Sequence, residues 1–188
     1  MDIFKKEIGY LTQALEELED YLLSDILYFP LFVPGASNKF SKSVLTIGNV
    51  LLSLQILDND QIPKELCDSK TNLSKGLSEV ETRWKMNWEQ KVKNEFRSRL
   101  LLWENFILDL EDEKNEASSE YITQVRHRVI LALLMNKSGG FLPDQMSKLS
   151  NIDYVYNQLT EDTGFIWNRS MQPSFHKKDF WFLYLRPK

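Results

Sequence analysis

Apolar residues recur every three or four positions along most of this chain, which is the spacing that places them on one face of an α-helix. The first such stretch predicts a helix from about Asp2 to Tyr28. A second stretch, apolar on nearly every side, predicts a buried helix from about Lys39 to Leu57, with Ser37 or Asn38 as its N-cap. Gly48 would lie in the middle of that helix, where we expect a neighbouring helix or bulky side chain to approach closely.

The longest predicted element is a third helix from about Leu73 to Glu113, which follows a polar, turn-rich loop with room for one helical turn after Pro63. Its apolar stripe consists of Leu73, Leu77, Val80, Trp84, Trp88, Val92, Phe96, Leu100, Trp103, Ile107 and Leu110. A straight helix of this length would extend roughly 60 Å. Because that exceeds a compact domain of 188 residues, we expect the helix to kink, to project, or to pack against a second copy.

A fourth helix is predicted from about Glu120 to Asn136, capped by Ser118 or Ser119, and one or two short helices should follow Pro143. The C-terminal segment differs, because "TGFIWN" and "FWFLYLR" are rich in β-forming residues. We predict that they pair antiparallel over about residues 164–185 and cover the bundle. A short terminal helix is the alternative, since an aromatic run of this length does not fix the period.

Together these patterns predict a mainly α fold. We expect an up-and-down bundle of about four long helices, with short helices and a small C-terminal β-hairpin. Residues 1–161 would form the bundle, and residues 162–188 an aromatic ribbon packed on it within the same domain.

The composition argues against several classes of function. Cys67 is the only cysteine, so neither an intrachain disulfide nor a cysteine-rich zinc site can form. The two histidines lack the spacing of a helical metal site, and neither a nucleophile elbow nor a phosphate-binding loop occurs. We therefore predict no metal and no cofactor. The start of the chain lacks the pattern of a signal peptide, and the longest uncharged apolar stretch, residues 26–36, is too short to span a membrane. We predict a cytoplasmic protein that does not bind membranes.

A basic stretch from Arg83 to Arg99 interleaves positive charges with Trp84, Trp88 and Phe96, a combination that can bind nucleic acid. The aromatic residues, however, lie on the apolar stripe, whereas the lysines and arginines lie mainly outside it. We therefore predict that Trp84, Trp88 and Trp103 are core residues. Since the net charge of the chain is −4, we do not expect nucleic-acid binding.

One group of residues could form a site. Arg126, His127 and Arg128 interrupt the apolar pattern of the fourth helix, and Arg99 lies one turn before Trp103 on the third helix. A buried arginine needs a carboxylate partner. The expected partners are Glu95, Glu104 and Glu120. The group predicts either a pocket for an anion or small ligand between the two helices, or an ion-pair network that ties them together.

Our leading functional prediction is a non-enzymatic protein-interaction or adaptor module, because the chain lacks a catalytic motif and has a long third helix and a two-faced aromatic tail. The alternative is a ligand- or anion-binding protein, or an enzyme, that uses the Arg99–His127 group. In the leading prediction Trp181, Leu183 and Leu185 form an interface with a protein partner or a second copy, giving a homodimer. The competing outcome is that the loop at residues 28–36 folds over the ribbon and closes it within one chain.

Overall fold

The structure is a computed structural model that describes residues 3–31, 43–112, 117–137 and 140–188. It confirms the mainly α fold and the C-terminal antiparallel strand pair. The helices are α1 (Ile3–Leu23), α2 (Ile47–Leu57), α3 (Lys64–Arg83), α4 (Lys85–Glu111), α5 (Ala117–Lys137) and α6 (Pro143–Leu159). The strands are β1 (Phe29–Leu31), β2 (Ser43–Leu45), β3 (Thr160–Asp162) and β4 (Leu185–Pro187). None of the described helices is long and apolar enough to cross a bilayer.

The chain divides into two compact units, Met1–Glu95 and Phe96–Lys188, and α4 contributes residues to each. The predicted division at residues 161 and 162 stays a prediction. The apolar stripe predicted for the third helix is largely confirmed, since every member is buried except the half-buried Trp84 and Leu110. Trp88 and Trp103 are therefore core residues, as predicted.

The first unit contains α1, α2, α3, the pair β1–β2 and the start of α4. Helix α1 ends at Leu23, five residues before the predicted end, where Ser24 turns the chain. The segment that follows α1 is bound by Lys91, whose ammonium donates to the carbonyl oxygens of Ser24 at 2.8 Å and Ile26 at 2.7 Å. This lysine was expected outside the core but is buried, and burial lowers its pKa. Gly76 of α3 lets Leu15 of α1 approach, because a Cβ there would lie 2.8 Å from a leucine methyl.

The predicted second helix is shorter than expected. Residues 43–45 form β2, which pairs antiparallel with β1, and α2 begins only at Ile47; residues 39–42 lie outside the described part. Gly48 is therefore in the first turn and not mid-helix. Its N–H donates to the buried carboxylate of Glu95 at 2.7 Å, while the N-cap Thr46 accepts from the N–H of Asn49. These bonds satisfy two of the donors that a helix N-terminus leaves open.

The loop predicted before the third helix is wrong. Residues 64–83 form α3, which begins directly after Pro63, and the long helix is interrupted at Trp84 before α4 starts. The predicted continuous helix is therefore two helices, α3 and α4, which are divided at Trp84. Backbone bonds from Trp84 to Val80 and from Trp88 to Trp84 bridge the interruption, so few donors are lost there.

The second unit contains the rest of α4, then α5, α6 and the tail. Helix α5 confirms the predicted fourth helix, but it begins at Ala117, so the predicted caps Ser118 and Ser119 lie within its first turn. Helix α6 is a single helix where one or two short ones were expected. Pro143 occupies its first turn, where a missing N–H costs no helical bond.

The tail pairs antiparallel only at its two ends, where β3 meets β4. Between the strands lie two 3₁₀ helices, Arg169–Ser174 and Trp181–Tyr184. The strand predicted for the aromatic run is therefore wrong for these four residues, and the alternative of a short helix holds there. Phe180, Phe182 and Tyr184 are all buried, as is Phe175, which stacks edge-on against Phe180.

Candidate functional site

The residues predicted to form a site lie on α4 (Arg99 and Trp103) and on α5 (Arg126, His127 and Arg128), all within the second unit. The structure joins Arg99 to His127, places Trp103 and Arg128 in the core, and leaves Arg126 exposed. Arg99, Trp103 and Arg128 are thus buried, His127 is half-buried and Arg126 is exposed, and the prediction that the five line one site stays a prediction.

Arg99 and His127 form a hydrogen-bonded pair with 3.0 Å between Arg99 Nη1 and His127 Nδ1. A guanidinium has no acceptor, so Nδ1 must accept and the proton of a neutral imidazole lies on Nε2. Burial, followed by the charges of Arg99 and Arg126, lowers the pKa of His127 to about 4. At neutral pH the imidazole is therefore uncharged and adds no positive charge for an anion.

This pair predicts an acid-sensitive stability. The folded-state pKa of about 4 lies below the ordinary value of 6.5, so the unfolded chain binds the proton more readily, and stability is complete above pH 6.5 and is lost as pH falls towards 4. Because the ring is partly exposed, we expect a loss of about 1–2 kcal/mol. Urea denaturation between pH 7 and 4 measures it.

The matched variants for that experiment are His127→Gln and His176→Gln. Glutamine at position 127 can still accept from Arg99 but does not titrate, so its stability should fall less with acid than that of the parent. The exposed His176 lies outside the pair, and its variant should follow the parent. A His127→Gln protein with the parent's pH profile would contradict the assignment.

Arg128 forms a bidentate ion pair with Asp153 of α6. Its Nε donates to Oδ1 at 2.8 Å and its Nη2 donates to Oδ2 at 2.7 Å. The guanidinium also lies over the ring of Phe182, 4.5 Å from the ring centre. One side chain therefore connects α5, α6 and the tail. The remaining nitrogen, Nη1, is buried and has no hydrogen-bond partner among the described residues.

Asp153 was missed by sequence reasoning, which named three other carboxylates. Glu95 accepts from Gly48, Glu104 forms an ion pair with Lys148, and Glu120 accepts from Gln124. A signal for Asp153 did exist: it follows the buried Ile152 and lies one turn before the buried Tyr156. A carboxylate beside the apolar face of a helix is placed to meet a buried cation.

Two tyrosines hold the tail and were also missed. The hydroxyl oxygen of Tyr121 on α5 lies 2.7 Å from the carbonyl oxygen of Leu185, and that of Tyr156 on α6 lies 3.0 Å from the carbonyl oxygen of Phe182. The two hydroxyl oxygens lie 2.5 Å from each other, so two protons are shared among three contacts. Burial raises the pKa of Tyr121 to about 12 and also raises the pKa of Tyr156. Both remain neutral donors, and they bind carbonyls that a regular strand would direct to a neighbouring strand.

The predicted interface on the tail is only partly available. Leu183 is 0% exposed, because the 3₁₀ turn directs it into the unit, and it cannot contribute an open surface. Trp181 and Leu185 are half-buried. We expected each apolar face of the aromatic run to need a partner, but Leu183 is already buried within the chain.

An exposed apolar surface lies instead on α4. Leu101 and Leu108 are each 54% exposed, and Leu102 beside them is 39% exposed. Leu101 and Leu108 are seven residues apart and share one side of the helix, and the exposed Arg97, Asn105 and Asp112 lie along the same side. We call Arg97, Leu101, Asn105, Leu108 and Asp112 the outer face of α4. Sequence reasoning missed it because it followed only the stripe of Leu100, Trp103 and Ile107.

Within the described part of the chain, no group of three histidine, cysteine or acidic side chains could hold a metal ion. A surface depression of about 450 Å³ lies along α3 and is lined by exposed polar residues. Its lining consists of Lys75, Ser78, Glu79, Thr82 and Arg83. None of the predicted site residues borders it.

Comparison of the chain with protein-family models, with curated proteins and with solved structures finds no match.

Proposed function

We propose that this chain is a protein-interaction module that binds its partner through the outer face of α4. The observation that supports this most is the exposure of Leu101 and Leu108 on one side of a helix whose opposite side is buried from Phe96 to Ile107. Two exposed leucines at this spacing present a short apolar strip about two turns long, which Asn105 interrupts. Helices commonly bind a partner through anchors at such positions.

The energetic reason is the apolar area that remains in contact with water. Completely burying a leucine side chain contributes about 1.5–3 kcal/mol, and each of these two leucines is only about half covered. A partner that covers both therefore gains on the order of 2–3 kcal/mol from them. Polar groups around the strip, such as Arg97 and Asp112, would set its orientation.

The alternative of a ligand-binding protein or enzyme receives less support from the geometry. The charge of Arg128 is matched by Asp153, and His127 accepts a hydrogen bond from Arg99. Arg128 Nε and Nη2 already donate to Asp153, so the buried Nη1 is the Arg128 nitrogen that an anion could reach without displacing one of these bonds. We therefore assign the Arg99–His127 and Arg128–Asp153 pairs a structural role in this proposal.

A photo-cross-linking experiment in the native host tests the proposal. The photoreactive amino acid p-benzoylphenylalanine replaces Leu101, Leu108 or, as a control, the exposed Ser147 of α6. We expect positions 101 and 108 to give adducts of the same mass and position 147 to give none of that mass. The double variant Leu101→Lys/Leu108→Lys should fold like the parent, since both sites are exposed, and should not associate.

Two results would contradict the proposal. One is the absence of a specific adduct at both leucine positions in cells that express the chain at its natural level. The other is a double lysine variant whose complexes keep the parent's size when measured by native gel filtration.

A further inference from the structure

We infer that the outer face of α4 binds a second copy of this chain, with the two α4 helices antiparallel about a twofold axis near Glu104 and Asn105. This inference depends on the proposed function and specifies its partner. It differs from the dimer predicted through the tail, because it uses none of the tail residues.

The first argument is the symmetry of the outer face. In an antiparallel helix pair, residues equidistant from the twofold axis lie opposite each other. Leu101 and Leu108 lie equally far on either side of the midpoint between Glu104 and Asn105, and so do Arg97 and Asp112. One register therefore places leucine against leucine twice and arginine against aspartate twice. An isologous interface requires this kind of self-complementary surface.

The second argument is the distribution of charge along α4. Lys93 and Arg97 precede the leucines, whereas Asp109, Glu111 and Asp112 follow them. An antiparallel pair brings the basic end of each helix beside the acidic end of the other. The two helix dipoles then point in opposite directions, which is also favourable. A parallel pair would place three carboxylates beside three others, which is repulsive.

The third argument concerns the residues at the proposed axis. Glu104 is neutralised by Lys148, with 2.6 Å between Lys148 Nζ and Glu104 Oε2. Two copies of Glu104 can thus approach without an uncompensated repulsion. Asn105 is exposed and would lie opposite Glu104 of the second copy, where its amide N–H can donate to that carboxylate.

The apolar strip is short, so the dimer should be weak. Interfaces of small area belong to transient complexes, and we expect a dissociation constant on the order of 100 μM at low salt. The ion pairs lie at the rim of such an interface, so association should also weaken as salt screens them.

Sedimentation equilibrium of the complete chain tests the register through charge reversal. Arg97→Glu places a carboxylate opposite Asp112 of the second copy at both ends of the interface, and Asp112→Arg places a guanidinium opposite Arg97 at both ends. Each variant should therefore weaken dimerisation by about tenfold or more. The double variant exchanges the charges and should return the dissociation constant to within about threefold of the parent. Circular dichroism of all three variants checks that each is folded.

Cysteine cross-linking supplies a second, independent measurement in a Cys67→Ser background. Asn105→Cys lies near the axis and should form a disulfide with its own copy. The Leu101→Cys and Leu108→Cys proteins should cross-link to each other when they are mixed, because the two positions face each other. Neither protein should cross-link to its own copy, because the same position in the two copies is displaced by roughly 10 Å along the helices. Ser147→Cys is the matched control and should not cross-link.

The outcomes separate the two proposals. Adducts at positions 101 and 108 with twice the mass of the chain support both. Adducts of another mass, with a chain that stays monomeric at several hundred micromolar, overturn the dimer and leave the proposed function in place. A dimer that survives both single charge reversals, or that cross-links through Leu101→Cys alone, overturns the antiparallel register.

Discussion

Replacing Arg128 with methionine should lower the free energy of unfolding by about 3–5 kcal/mol. The variant leaves the carboxylate of Asp153 without its bidentate partner at a site where only 17% of that side chain is exposed. It also removes the cation above the ring of Phe182. Urea denaturation followed by circular dichroism measures the loss, and tryptophan fluorescence reports whether the tail, which contains Trp181, detaches first.

The matched variants separate the ion pair from simple loss of volume. Asp153→Asn leaves a buried guanidinium with a weaker acceptor and should also be destabilised, by about 2–4 kcal/mol. The double variant Arg128→Met/Asp153→Leu removes both charges and should recover at least half of the loss, because apolar residues can replace a buried ion pair. An Arg128→Met protein as stable as the parent would contradict the structural role.

The same cycle bears on function. If the Arg128 region bound an anion, the parent would gain stability from millimolar phosphate or sulfate and the double variant would lose that gain. In our proposal neither protein responds specifically, since Asp153 already satisfies two of the guanidinium donors. The ligand-binding alternative therefore has its own observable, separate from the cost of breaking the pair.

Helices with a sustained apolar period were predictable from sequence, and the solvated half of α3 was not. Helix α5 lies within one to three residues of its predicted ends because Val125, Val129 and neighbouring apolar residues fix the period. In α3 only Leu73, Leu77 and Val80 are buried, so residues 64–72 carry no apolar stripe. Pro63 marked the start of that helix, but a single proline does not reveal how far the helix extends.

The start of α2 and the aromatic tail failed for another reason. Strand β2 has three residues, and Val44 and Leu45 suit a helix or a strand equally well. Its pairing with β1, fourteen residues earlier, decides the structure, and such a pairing has no local signal. In the tail the 3₁₀ turn at Trp181–Tyr184 is bound at Phe182 by the hydroxyl of Tyr156, and the start of β4 is bound at Leu185 by the hydroxyl of Tyr121. Both tyrosines lie far away in the sequence.

The candidate site also contains one contact whose residues could be grouped from the sequence and others that depend on packing between helices. Arg99 and His127 lie on consecutive helices and form a hydrogen bond, and sequence reasoning had placed both in one group of residues. The pairing of Arg128 with Asp153 depends on how α6 packs on α5, and several carboxylates satisfied the requirement equally well from sequence alone. Exposure of Leu101 and Leu108 depends on which side of α4 is covered, a property of packing and not of the helix pattern.

Replacing Trp103 with alanine should be the other strongly destabilising change, at about 3–5 kcal/mol. Trp103 is 0% exposed, its ring lies 5.1 Å from that of Tyr156 and 5.6 Å from that of Phe106, and it thus contacts α6 from α4. Alanine would leave a cavity beside Tyr156, whose hydroxyl binds the tail. Loss of the tryptophan should therefore also loosen the tail, which hydrogen exchange at the amides of Thr163 and Ile166 can detect.

Trp103→Phe and Trp84→Ala are the control variants for the loss of stability expected in Trp103→Ala. Phenylalanine keeps an aromatic ring and removes an indole N–H that has no hydrogen-bond partner among the described residues, so its cost should stay below about 2 kcal/mol. Trp84 is half-buried at the interruption between α3 and α4, and its alanine variant should lose less stability than Trp103→Ala. If Trp103→Ala unfolds at the same urea concentration as the parent, or if Trp84→Ala costs more, the core around α4 is assigned incorrectly. Unfolding of Trp103→Ala without faster exchange at Thr163 and Ile166 would keep the core assignment and reject its coupling to the tail.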